Sequence, residues 1–292
     1  MTSLVRHLAT VQSTVLAWYA ANGRDLAFRR TTHPWGILVS EVMAQQTQAA
    51  RAAESWIGFM ARFPTPASMA AATAADVIRA WRGLGYNRRA LALHRAAQTI
   101  VADHAGRVPD TLDALVSLPG IGPYTARAVL AIAFGRPVAA LDVNIGRVLG
   151  RAFELDALPG RERQACADAL VPVDRAVEWT HAVMDIGAAF CRPRDPRCDA
   201  CPLRESCAFV ASGGHASAPA RAAPASMPFE STNRWLRGRI LDRLRDTPDN
   251  AWVRFDSAIG EHQIPAVTAA LSALASDGMI DRAGDRARLI DA

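Results

Sequence analysis

Lysine is absent from this chain of 292 residues, so every one of its 33 basic residues is arginine. With no side-chain amine available for a Schiff base, lysine-dependent covalent mechanisms are excluded. Codon bias in an alanine- and arginine-rich proteome is enough to account for the imbalance, and the exclusion holds whatever its origin. Long apolar runs are also missing. The first twenty residues carry Leu4, Leu8, Val11, Val15 and Trp18 at the spacing of one helical face. Arg6, His7, Gln12 and Ser13 interrupt that set, so neither a secretory signal nor a membrane span fits. Charged residues make up only 21% of the chain against 50% hydrophobic, the balance of a folded protein rather than a disordered one.

What is present is more specific. The net charge of +5 leans towards a polyanionic partner. Four of the five cysteines, Cys191, Cys198, Cys201 and Cys207, fall within seventeen residues at the spacing C-x6-C-x2-C-x5-C. In a chain without a targeting signal the expected compartment is the cytoplasm, where thiols stay reduced and such a cluster holds metal rather than disulfides. Structural zinc usually shows two C-x2-C knuckles and only one is present, whereas uneven spacing suits an iron–sulfur cubane with one thiolate per iron. Spacing favours the cubane and leaves zinc open. Cys166 stands apart and is expected to be an apolar core residue.

Residues 4–20 read as an amphipathic helix. From about 35 to 135, helical patterns alternate with the breaks Phe63-Pro64-Thr65-Pro66, Arg82-Gly83-Leu84-Gly85 and Val108-Pro109-Asp110. Residues 138–210 are helical again and end in the cysteine loops, followed by a small-residue, proline-bearing linker over 211–228. Beyond it, helices are expected at 232–246, 255–260 and 264–277. A hairpin is expected to pair Met279–Arg282 with Arg286–Ile290 across Ala283-Gly284-Asp285. Helix–helix–helix–hairpin is the order of a winged helix, a module that binds DNA, binds protein, or packs on the main body.

Leu118-Pro119-Gly120-Ile121-Gly122-Pro123-Tyr124 lies between a short helix at 111–117 and one starting near Pro123. Gly120 and Gly122 let backbone amides approach a phosphate, and the following helix presents its N-terminal N–H groups. This is a helix-hairpin-helix, which grips a DNA backbone without reading its sequence. Glu41, in Ile37-Leu38-Val39-Ser40-Glu41-Val42-Met43, points partly towards an apolar face, where desolvation would keep its proton on near neutrality; a boundary glutamate paired with arginine is the alternative. Asp142, in Leu141-Asp142-Val143-Asn144, is also placed to cap the helix that follows it.

Hairpin, Gly/Pro loop, aspartate and four cysteines, in that order, resemble the helix-hairpin-helix DNA glycosylases. Residues 40–48 (SEVMAQQTQ), Gly83-Leu84-Gly85-Tyr86 and LDVN narrow the resemblance to the MutY-type adenine DNA glycosylases over about 1–210. The resemblance implies a two-lobed all-α fold carrying one 4Fe–4S cluster on the four cysteines. The N-terminal helix (1–27) and 137–210 would form the cluster lobe and 28–136 a six-helix lobe, with a winged-helix-like α+β module at 229–292. It implies that Glu41 protonates N7 of adenine, Asp142 stabilises the cationic sugar and Asn144 supports that aspartate, a division of labour parallel to glycoside hydrolysis. Tyr124 stands where bifunctional relatives such as endonuclease III carry their Schiff-base lysine, implying a monofunctional enzyme whose tyrosine hydrogen-bonds near the sugar and Asp142. Gln45, Gln46 and Tyr86 match positions that wedge into the duplex beside an extruded base. Arg29 falls in the adenine pocket, with Phe28 in place of the family tryptophan. The implied partner is double-stranded DNA with adenine opposite 8-oxoguanine or guanine, bound by a monomer at the bacterial nucleoid. Arg192, Arg194, Arg197 and Arg204 would present a basic loop to phosphates. Residues 229–292 are too few for the NUDIX-like domain of longer members. Two other functions compete, an endonuclease III-like pyrimidine-damage glycosylase and a non-catalytic DNA-binding protein. The absent lysine opposes the first, and the retention of both carboxyls opposes the second.

Overall fold

A computed structural model describes residues 2–214 and 227–291, with side chains from residue 8 onward. Among the described residues, twelve α-helices precede residue 214. In chain order they are α1 (Thr2–Asn22), α2 (Pro34–Ala44), α3 (Ala49–Arg62), α4 (Pro66–Ala70), α5 (Ala74–Ala80) and α6 (Arg88–Asp103), then α7 (Leu112–Ser117), α8 (Pro123–Ala133), α9 (Val143–Phe153), α10 (Gly160–Ala169), α11 (Ala176–Ala189) and α12 (Ala208–Ala211). After residue 227 come α13 (Asn233–Arg245), β1 (Val253–Arg254), α14 (Ile264–Ser276), β2 (Ile280–Ala283) and β3 (Arg286–Leu289). No helix among the described residues is long and apolar enough to cross a membrane. Most of the expected linker, residues 215–226, lies outside the described residues.

Local chemistry sets the helix starts. Thr65 opens α4 by accepting from the Ser68 amide at 3.1 Å, and the Ser68 hydroxyl receives the Thr65 amide in return, a closed capping box. Thr73 accepts the Asp76 amide at 3.1 Å to open α5, and Thr232 opens α13 in the same way through the Trp235 amide. Pro123 occupies the first turn of α8, where its missing N–H costs nothing.

The chain packs as two compact units. The first comprises residues 1–41, 110–117 and 121–221, and the second residues 42–109, 118–120 and 222–292. These bounds run differently from the 28–136 and 137–210 lobes expected above. Val11 and Val15 of α1, Ile145, Val148 and Leu149 of α9, and Trp179, Val183 and Ile186 of α11 build the core of the first unit. In the second, Ala74, Ala75 and Ile78 of α5 and Leu91 of α6 share one core with Leu236, Ile240, Leu271, Met279 and Leu289 of the C-terminal segment. Residues 229–292 are therefore packed through their apolar face, not tethered loosely.

Two expectations from sequence are corrected. Residues 255–260 form no helix: the Phe255 amide donates to the Asp285 carbonyl at 2.8 Å, Gly260 turns at φ +59°, and Ile259 bridges His262. The order is thus helix–strand–helix–hairpin, and β1 pairs antiparallel with β3 in a sheet ordered β1-β3-β2, with Val253 opposite Ala287 and Ile280 opposite Leu289. Cys166 is exposed on α10 rather than buried. Its neighbour Ala167 takes the core-facing position of that short helix.

Candidate active site

Glu41 lies on α2 among Ile37, Leu38, Val39, Val42 and Met43, all of them buried, and is itself only 9% exposed. Burial in this apolar segment pushes its carboxyl up to about 7. A hydrogen bond from Tyr124 and the charge of Arg29 pull in the other direction, and the charge of Asp142 adds to the rise. The Tyr124 hydroxyl, on the first turn of α8, lies 3.2 Å from Glu41 Oε2. Burial first, and the two nearby carboxyls after it, hold the Tyr124 phenol well above its ordinary range, so it stays protonated and donates. Donation to Oε2 leaves the acidic proton of Glu41 on the other oxygen, free to be handed on. The hydroxyl therefore contacts Glu41 and also feels the charge of Asp142.

Asp142 is the N-cap of α9. Its Oδ1 accepts the Asn144 amide at 2.9 Å and the Ile145 amide at 2.6 Å, and its Oδ2 accepts Asn144 Nδ2 at 3.0 Å. Capping and function are therefore not alternatives: the cap fixes the carboxylate at the positive end of a helix. Asn144 is itself held, its Oδ1 accepting Arg147 Nη2 at 2.9 Å while the same nitrogen reaches the Gly187 carbonyl at 2.9 Å. Gly187 was not legible as functional. A Cβ there would stand 2.8 Å from Asn144 Cβ and 3.2 Å from its backbone, so only glycine lets α11 approach the capped turn of α9. Gly187→Ala is expected to cost about 1–3 kcal/mol of stability through overpacking and to slow catalysis by tilting Asn144 and Asp142. A thermal melt alongside a single-turnover rate checks this; a variant normal in both measurements removes Gly187 from the support of the site.

Arg29 is held in a buried pair. Its Nη1 and Nη2 donate to Asp185 Oδ2 and Oδ1 at 2.8 and 2.9 Å, and the side chains are 7% and 2% exposed. Arg24 adds its backbone amide at 3.0 Å and its Nε at 2.6 Å to the same carboxylate. The Arg29 guanidinium lies 5.9 Å from the centre of the Tyr19 ring. His181 is buried nearby, and desolvation first, then the charge of Arg29, drives its imidazole down to about 3, so it is neutral. Asp185 was missed in the sequence, although a lone acid inside the apolar run of α11 signals a buried partner.

The second unit holds Gln45, Gln46, Tyr86 and Gly120. Gln45, Gln46 and Tyr86 line one groove, Gln46 and Tyr86 adopting positive φ of 54° and 45°. Arg89 organises their two loops. Its Nη1 donates to the carbonyls of Val42 and Met43 at 2.9 Å and to that of Gln45, and its Nη2 donates at 3.1 Å to the Thr47 hydroxyl and the carbonyls of Leu84 and Gly85. Sequence alone gives no reason to single it out from its arginine neighbours. In the hairpin, Gly120 is required twice over, by a φ of +78° and by Ala92, whose Cβ would lie 2.6 Å from an added one. Gly122 is the N-cap of α8, and a Cβ there would meet nothing within 4 Å, so packing does not demand its bare backbone.

All four clustered cysteines are free thiols and line one cavity together with Val148, Ile186, Phe190 and Leu203. Burial, with neighbouring thiols adding to it, pushes Cys201 up to about 11. Arg151 Nη1 lies 3.6 Å from Cys191 Sγ. Among the described residues no three His, Cys, Asp or Glu side chains form a ready-made site for a single ion. Arg194 and Arg197 of this loop are exposed, and Arg204 pairs with Asp199.

Residues 39–171 match the HhH-GPD superfamily of base excision DNA repair proteins. An adenine DNA glycosylase of Mycobacterium tuberculosis is 40% identical over 96% of this chain and 92% of its own length. The chain belongs to the adenine DNA glycosylase family of that superfamily. The human adenine DNA glycosylase is 34% identical over 70% of this chain and 40% of its own length, so the mycobacterial likeness reaches into the C-terminal segment and the human one covers less. The solved structure of a thermostable thymine-DNA glycosylase is 27% identical, with a TM-score of 0.67 over 72% of this chain and 99% of that one. The chain is therefore a base excision repair DNA glycosylase.

Proposed function

We propose that this glycosylase hydrolyses the N-glycosidic bond of adenine mispaired with 8-oxoguanine or guanine and releases the base without cutting the strand. The observation that carries the reading is Glu41: a buried carboxyl whose proton affinity sits at about 7, hydrogen-bonded by Tyr124 and within the field of Asp142. Such a group holds a proton at working pH and can deliver it as the departing base gains negative charge. The proton passes from Glu41 to N7 of adenine, and the bond between N9 and the sugar C1′ breaks with its electron pair leaving on the purine. The cationic sugar faces the Asp142 carboxylate, whose orientation the α9 amides fix. Water adds at C1′ and returns a proton to Glu41, leaving free adenine, an abasic sugar and an unchanged enzyme. Strand cleavage through a lysine imine has no side-chain amine to begin from, because the chain contains no lysine.

Cys191, Cys198, Cys201 and Cys207 fit a 4Fe–4S cluster better than zinc. A cubane spreads its thiolates over four irons, so its ligands need to face one shared cavity rather than converge on one point. The donor set is all-thiolate, one cysteine for each iron of a cubane. The cluster would act as a structural cross-link for the loop between α11 and α12.

A single preparation tests both halves. Expected results are release of free adenine from duplex opposite 8-oxoguanine and guanine, strand breaks only after added alkali, and iron and acid-labile sulfide in equal amounts. Retention of adenine in both duplexes refutes the glycosylase reading, alkali-independent breaks refute the monofunctional one, and stoichiometric zinc reverses the cofactor assignment.

A further inference from the structure

The second unit contains a groove of about 910 Å³ whose walls come from the wedge loops and from α13. Seven arginines and two aspartates line it, an excess of five positive charges. Asp277 is consumed by Arg88 and Arg237, and Asp242 by Arg239 and Arg245. Arg51 and Arg234 carry no acidic partner among the described residues. An unpaired arginine costs nothing in water, but two of them in a concave basic wall concentrate positive potential where an anion can reach it.

Arg234 is placed most tellingly. Its guanidinium lies 4.2 Å from the centre of the Tyr86 ring, and its Nη1 donates to the Tyr86 hydroxyl at 3.0 Å. The centre of the Phe229 ring lies 6.0 Å from the same guanidinium. Tyr86 and Phe229 are 43% and 59% exposed, large aromatic surfaces that a packed core would have claimed. Arginine interleaved with exposed aromatics along a basic groove is the surface that binds nucleic acid, guanidinium to phosphate and ring to base. Gly238 lines the same wall at the middle of α13, where a Cβ would meet nothing within 4 Å. A glycine in mid-helix is unfavourable relative to alanine, and among the described residues no contact accounts for this one; bare backbone there admits a close neighbour.

We propose that α13 of the C-terminal segment is a DNA-binding wall of this glycosylase, with Arg234 and Arg51 taking phosphates of the duplex beside the Tyr86 wedge. The assignment rests on the DNA glycosylase reading above. It answers what residues 229–292 do: their apolar face is spent on α5 and α6, and their basic face continues the groove that holds Gln46 and Tyr86.

Deleting the segment would uncover the shared core, so point variants of the full chain are the test. Binding of adenine:8-oxoguanine duplex by Arg234→Ala, Arg51→Ala and the double variant is measured across a salt series, with Arg286→Ala, an exposed arginine outside the groove, as control. Each groove variant is expected to weaken binding by about 3–10-fold and to reduce the salt slope by about one released counterion, with the double variant losing about two. Arg286→Ala should do neither. Wild-type affinity and slope in the double variant overturn the proposal, as does an equal loss in Arg286→Ala, which would mean that only net charge matters. If instead α13 docks a protein, DNA binding will be indifferent to both arginines, again the overturning result. Failure here is distinct from failure of the glycosylase reading, which shows as a wild-type protein that releases no adenine.

Discussion

Glu41→Gln is expected to lower the single-turnover rate of adenine release by ~10²–10⁴-fold while the duplex is still bound. Glutamine keeps the volume and an acceptor for the Tyr124 hydroxyl but has no proton to deliver. The wild-type rate should fall as pH rises through about 7, where Glu41 ionises, and the variant's residual rate should lack that limb. On stability the substitution should act the other way. The unfolded carboxyl ionises at its ordinary 4.5 and the folded one at about 7. Below the lower value both states hold the proton and burial is tolerated. Between the two, unfolding releases a proton, so the fold loses stability as pH rises, and the loss is complete above the folded value. At pH about 8 the glutamine variant should therefore be the more stable protein by about 3 kcal/mol, a gain that vanishes near pH 4. A variant that turns over normally, or that melts with wild type at every pH, would remove Glu41 as the buried acid.

That trade of stability for reactivity explains which parts of the site could be read in the sequence. Glu41 was legible because a carboxyl inside Ile37–Met43 contradicts its own neighbourhood, and such contradictions mark function. Asp142 was legible as a cap, and Gly120 and Pro123 as turn chemistry, because both signals are local. What escaped is tertiary. Asp185 and Gly187 sit on α11, 43 residues or more beyond Asp142, and their roles exist only because α11 packs on α1 and α9. Arg89 looks like its neighbour Arg88, yet one knits the loops at 42–47 and 84–85 and the other salt-bridges Asp277. The same limit produced the errors. The pattern over 255–260 suits one helical turn, but Phe255 is claimed by Asp285 from the hairpin, a partner that no local propensity reveals. Cys166 was assigned to the core by residue type, while α10 turns Ala167 inward instead.

The other large effect expected is from Asp185. Burial raises its carboxyl, but hydrogen bonds from Arg29 and Arg24 and the charge of Arg29 outweigh that and hold it below the ordinary range. Asp185→Ala removes the acid paired with Arg29 among the described residues, leaving a guanidinium that is 7% exposed, and should cost about 3–5 kcal/mol. Destabilisation alone would describe any broken buried pair. The discriminating readout is the pH–rate profile of the milder Asp185→Asn, which keeps one acceptor oxygen. With Asp185 neutral, the Arg29 charge acts on Glu41 uncompensated and favours its ionised form, as Arg29 already does in part. The limb near pH 7 should then move to lower pH, so that at neutrality less of the acid carries its proton. Asp185 would thus be a positioning residue, tuning the catalytic proton through an arginine that the family pattern places in the adenine pocket. A variant with a lowered melting temperature and an unmoved limb would reduce the Arg24–Asp185–Arg29 cluster to architecture. A limb that moves under Asp185→Asn, and disappears when Glu41→Gln is added, ties the two carboxyls to one titration.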